Sequence, residues 1–179
     1  MATQGPSNPA TASGTGWTNP TDIESNGGFA TWTTLAGNAD TTNALVGTAF
    51  GFSIPAGATV NGIVVSFVRK LSSLSNFSAS TTNIHMLKAG SLAGTAKGPG
   101  SAWTTPGVTE TWGTTSDLWG TTWTPAQIND SGFGFQIVVD DDNTSGSVSR
   151  TLSVNDYLVT ITYTTVAGVT TSQAFLFGF

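Results

Sequence analysis

The stretch LSVNDYLVTITY, residues 152–163, decides the fold class. In its second half Tyr157, Val159, Ile161 and Tyr163 alternate with Leu158, Thr160, Thr162 and the following Thr164. Successive side chains of a strand point to opposite faces, so this period of two describes a strand with one apolar and one threonine face, in a sheet buried on one side. Upstream, across the polar loop 140–150, FGFQIVV at 133–139 reads as a second clear strand.

The same signals recur toward the N-terminus. LVGTAFGFSI at 45–54 ends at Pro55-Ala-Gly57, where proline fixes φ and glycine tolerates a positive one, so a turn is expected. In the strand at 59–70, Val60, Ile63, Val65 and Phe67 break strict alternation near Asn61-Gly62, which predicts a bulge or bend. TNIHMLK at 82–88 alternates again, a weaker strand lies between Ala89-Gly90 and the breakers Lys97-Gly-Pro-Gly100, and 108–112 is short. Thr124 as an N-cap followed by Pro125 predicts one helical turn. Short strands punctuated every eight to a dozen residues or so predict an all-β chain, an antiparallel β-sandwich of jelly-roll type with about eight strands.

A chain of 179 residues suits one such domain. Residues 1–16 show no apolar periodicity and are expected to form a flexible arm, with the sandwich at 17–163. Residues 164–179 form an apolar tail whose Phe175, Leu176, Phe177 and Phe179 are expected to make subunit contacts. Only 8% of residues are charged, against about a quarter in an ordinary domain, so the polarity comes from Thr, Ser, Gly and Asn. A net charge of −5 with five Lys and Arg offers no footprint for nucleic acid or an anionic membrane. There is no cysteine for disulfides or thiolate metal sites, no transmembrane-length stretch, and no signal-peptide pattern in residues 1–16.

No enzyme is expected. The single histidine, His85, lies in the 82–88 strand, no Gly-x-Ser-x-Gly elbow is present, and Glu24, Glu110, Asp117 and Asp130 are scattered with no catalytic spacing. Asp140, Asp141 and Asp142 form the densest acidic run. They lack the alternating pattern of a calcium loop, so a solvated hairpin loop is favoured and a weak calcium site is the best metal reading; no cofactor is called for. Trp103, Trp112, Trp119 and Trp123 lie close together in sequence. Exposed, they would form a platform for sugar rings; buried, they are anchors, and their Gly and Thr neighbours favour the core.

Several segments in order carry a resemblance: Trp17-Thr-Asn-Pro20, Asn26-Gly-Gly-Phe-Ala30, the run from Phe50 to Val65, Asp117-Leu-Trp-Gly120 with 123–129, Phe133-Gly-Phe135, and Val154-Asn-Asp-Tyr157 leading into 159–163. Together they resemble a family of phage and prophage virion structural proteins of the tail, fibre or head-decoration type. The resemblance implies a β-sandwich of the virion with no enzymatic residues to carry over; the arm and the apolar tail predict assembly with itself and other virion proteins, and the missing cysteine and signal-peptide pattern agree with assembly in the bacterial host cytoplasm. The alternative is a glycan-binding module of a receptor-binding tail protein, using the clustered tryptophans on a host surface glycan.

Overall fold

The computed structural model describes residues 1–34, 39–74, 77–141 and 148–165. Its strands are β1 (Ala2–Ser7), β2 (Thr11–Ser13), β3 (Ala30–Thr33), β4 (Asp40–Thr41), β5 (Leu45–Thr48), β6 (Thr59–Leu71), β7 (Ala79–Lys88), β8 (Ser91–Lys97), β9 (Val108–Gly113), β10 (Gly134–Asp141) and β11 (Thr151–Thr164). A 3-10 turn spans Pro20–Glu24 and one helical turn, α1, spans Pro125–Ile128. At α1, the helical turn expected from Thr124 and Pro125, the Thr124 hydroxyl accepts from the Gln127 backbone N–H while the Gln127 side chain accepts from the Thr124 N–H, a reciprocal cap.

Two antiparallel sheets face each other. One runs β1–β11–β6–β9, with β3 further along the same edge of β11 as β1; the other runs β2–β5–β10–β7–β8, with β4 beside β5 on β10. Within them β3 pairs β11, β5 pairs β10, β6 pairs β9 and β7 pairs β8. Those four nested pairs are the winding of a jelly-roll sandwich. Seven of these eight match strand segments read from the sequence, and β3 is the eighth; β1, β2 and β4 are additional.

The first two of these additions correct the expectation of a flexible arm at residues 1–16. β1 lies along β11 from Ala2↔Tyr163 to Ser7↔Val159, and β2 lies along β5 from Thr11↔Thr48 to Ser13↔Val46. A segment that only lends its backbone to a free sheet edge needs no apolar face, so hydrophobic periodicity does not reveal it. Side chains add to the attachment: Asn8 Nδ2 donates to the Tyr157 carbonyl at 3.2 Å, and Gln4 Oε1 accepts from Ser53 N–H at 3.0 Å.

Two bulges set which residues face the core. Thr162 pairs with Gly62 and Tyr163 with Val60, so Asn61 is the extra residue, at the predicted irregularity. Asn155 pairs with Val68 and Leu158 with Ser66, placing Asp156 and Tyr157 opposite Phe67, with Asp156 at φ 54°. This second bulge shifts the phase of β11. Leu152 and Val154 point inward before it, Tyr157, Val159 and Ile161 after it. Tyr157 stacks on Phe135 of the opposite sheet, ring centroids 4.0 Å apart, and lies 5.8 Å from Phe67. Its hydroxyl donates to the Leu45 carbonyl at 3.0 Å, and complete burial holds its pKa well above the ordinary tyrosine value.

A groove at the β9 edge

The inward positions of β6 are Ile63, Val65, Phe67 and Leu71, with Arg69 among them. Across the ladder Phe67 pairs with Glu110 and Val65 with Trp112, so β9 aims Glu110 and Trp112 at the same side of the sheet, with Glu110 diagonal to Arg69. Opposite them the 98–103 segment attaches to the start of β7: Gly100 N–H donates to the Thr81 carbonyl at 2.7 Å and Trp103 N–H to the Ala79 carbonyl at 2.8 Å. Between this segment and β9 lies an open groove of about 330 Å³. Pro99, Gly100 and Ser101 form one wall, Thr109, Glu110, Thr111 and Trp112 the other, and Arg69 reaches into it.

Arg69 and Glu110 are 4% and 8% exposed and form an ion pair through Nε and Oε2. Charges this buried require partners, and both have them. Arg69 Nη1 donates to the Ala102 carbonyl at 3.1 Å, and its guanidinium lies 5.9 Å from the Trp103 ring centroid. Glu110 accepts from Trp112 Nε1 at 2.7 Å through Oε1 and from the Thr81 hydroxyl at 3.4 Å through Oε2; Thr81 in turn accepts from Trp103 Nε1 at 3.1 Å. A Cβ at position 100 would collide with Glu110 Oε1 and come within 3.2 Å of the Trp112 ring. Glycine is therefore what lets the wall approach so closely.

The four-tryptophan platform is corrected. Trp103, Trp119 and Trp123 are 1%, 1% and 6% exposed, and each indole N–H is used inside the fold: Trp119 donates to the Ile63 carbonyl and Trp123 to the Leu118 carbonyl, both at 3.0 Å. Only Trp112 is half-buried and lines the groove. Lysines lie over two of the others, Lys97 over Trp119 and Lys88 over Trp123, and Lys70 lies over Phe29. With Arg69 over Trp103, four of the five basic side chains in the sequence rest on aromatic rings.

Asp140 and Asp141 pair with Thr41 and Asp40 at the end of β10, while Asp142 lies outside the described residues. No group of three or more His, Cys, Asp or Glu among the described residues is placed to hold a metal. The scattered acids do not converge. Glu110 belongs to Arg69, Asp117 pairs with Lys97 at 2.8 Å and accepts from Trp119 N–H at 2.8 Å, and Asp130 accepts from Gly132 N–H at 2.7 Å. Partial burial acts to raise the Asp117 pKa, but the hydrogen bonds from Lys97 and Trp119 and the Lys97 charge outweigh it and hold the carboxyl below its usual value. His85 Nε2 sits 3.2 Å from the Gly94 carbonyl, opposite Gln136 in the sheet. Phe175, Leu176, Phe177 and Phe179 lie outside the described residues.

Arg69, Gly100 and Ser101 did not stand out in the sequence. The available signal is a lone arginine in the inward register of a strand that is otherwise apolar there. No family model and no curated protein matches the chain. Among solved structures it is similar to the N-terminal cellulose-binding domain of Cellulomonas fimi β-1,4-glucanase C, at 15% identity over 79% of this chain and 81% of that one, TM-score 0.40. It is also similar to a CBM4 module, at 11% identity over 73% and 82%, TM-score 0.39, and to the CBM22-1 xylan-binding domain of Paenibacillus barcinonensis Xyn10C, at 10% identity over 90% and 97%, TM-score 0.29.

Proposed function

We propose that the chain is a non-catalytic binding module that takes a glycan in the groove at the β9 edge. The observation that carries the reading is the groove itself: one half-buried indole beside a buried Arg69–Glu110 pair, walled by Ser101, Thr109 and Thr111. A flat apolar ring face stacks on an aromatic, while hydroxyls need a few convergent donors and acceptors, and this groove supplies both. Its volume of about 330 Å³ lies at the small end of ligand sites, which suits one or two sugar rings. Titration calorimetry against a panel of soluble oligosaccharides tests it. Binding that Trp112→Ala weakens by about tenfold or more is expected, since aromatic anchors dominate such contacts. Binding untouched by Trp112→Ala would place the site elsewhere, and no binding to any sugar would remove the reading.

The order of motifs between Trp17 and Tyr163 favours a setting for this module, the surface of a phage particle. Immunogold labelling of purified particles with antibody to the chain tests that setting. Label on tail, fibre or head surface supports it, and unlabelled particles from a producing host contradict it.

A further inference from the structure

We infer that the groove selects neutral sugars, gripping two vicinal hydroxyls between Arg69 and Glu110, and excludes sugars that carry a carboxylate. This rests on the glycan reading and adds the chemical class of the ligand. Arg69 has five N–H donors. Nε faces Glu110 and Nη1 reaches the Ala102 carbonyl, while Nη2 makes no hydrogen bond among the described residues of a side chain that lines the groove. Glu110 Oε1 receives one hydrogen bond, from Trp112, and retains a lone pair. A donor and an acceptor thus belong to two paired residues that both line the groove. A hydroxyl both donates and accepts, so two adjacent hydroxyls of a pyranose satisfy such a pair without leaving either charge unpaired.

A ligand carboxylate meets the same site differently. It would accept from Nη2, yet it would enter beside the buried Glu110 carboxylate, whose charge already uses the cation. Placing a second carboxylate beside one that is buried is unfavourable. The formal net charge of −5 opposes an anionic glycan at longer range as well.

The experiment compares neutral oligosaccharides of the glucose, galactose and mannose series with their uronate counterparts, by calorimetry on the full chain and on Glu110→Gln. For the unaltered chain, neutral ligands are expected to bind about tenfold or more tightly than the matching uronates. Glu110→Gln frees the cation, so this preference should narrow or reverse. Uronates that bind the unaltered chain as well as neutral sugars, with binding still dependent on Trp112, would overturn the selectivity and leave the glycan reading standing. Failure of both series to bind would overturn the glycan reading and the selectivity with it. If Glu110→Gln does not fold, the comparison on the unaltered chain decides alone.

Discussion

Replacing Arg69 by Met leaves Glu110 as an unpaired buried carboxylate, and breaking a buried pair in this way costs about 3–5 kcal/mol. Replacing both residues, as Arg69→Met with Glu110→Leu, removes the uncompensated charge, so urea denaturation should show the double variant recovering most of that loss. A double variant no more stable than the single one would mean that packing of the arginine stem, not charge, makes the difference. Tyr157→Phe is smaller in scale: it strips the hydroxyl from the Leu45 carbonyl, for about 1–2 kcal/mol, whereas Tyr157→Ala empties the stack on Phe135 and costs about 3–5 kcal/mol. Asp117 adds a pH dependence. Its folded pKa lies below the unfolded one, so the pair with Lys97 stabilises fully above the unfolded value, about 3.9, and loses that contribution as pH falls through the folded value. The melting-temperature gap between the unaltered chain and Asp117→Asn should therefore shrink on acidification below about pH 4; a gap constant from pH 7 to pH 2 would sink the assignment. At this scale the sequence was only partly legible. Trp112 and Glu110 were visible as residue types, but their meeting with Arg69 and Gly100 depends on the diagonal across β6 and β9, which local pattern does not encode.

The strands themselves were easier to read, for a physical reason. β5, β6, β7, β10 and β11 each bury a face, and burial leaves a period of two between Gly and Pro breakers. α1 was legible from Thr124 and Pro125, and Gln127 completes its cap. β1 and β2 bury little and interact through the backbone, so nothing in their side chains announces them. They are nevertheless expected to matter. Deleting residues 1–7 exposes the edge of β11 at Val159, Ile161, Thr162 and Tyr163. Such an edge is a template for pairing with another chain. The truncated protein should melt at a lower temperature and associate as its concentration rises, which calorimetry with light scattering would show. A truncated chain that keeps its melting temperature and shows no association beyond that of the full chain would mean that β1 is an ornament of the edge.

For the molecule as a whole, the cations are gathered onto Phe29, Trp103, Trp119 and Trp123. With a formal net charge of −5, the molecule offers an anionic ligand no long-range attraction, the setting in which a small polar groove can discriminate by hydroxyl chemistry. The nested pairing also has an order in time. β7 and β8 are joined by a two-residue turn and can meet as soon as both exist, whereas Ala2 must find Tyr163. At a synthesis rate of about 5–20 residues per second, the interval between making those two partners is on the order of ten seconds or more. Throughout it the first strand has no edge to join. β1 can therefore be fixed only after β11 has been made, whereas β2, three residues further on, has its partner β5 as soon as Thr48 is made.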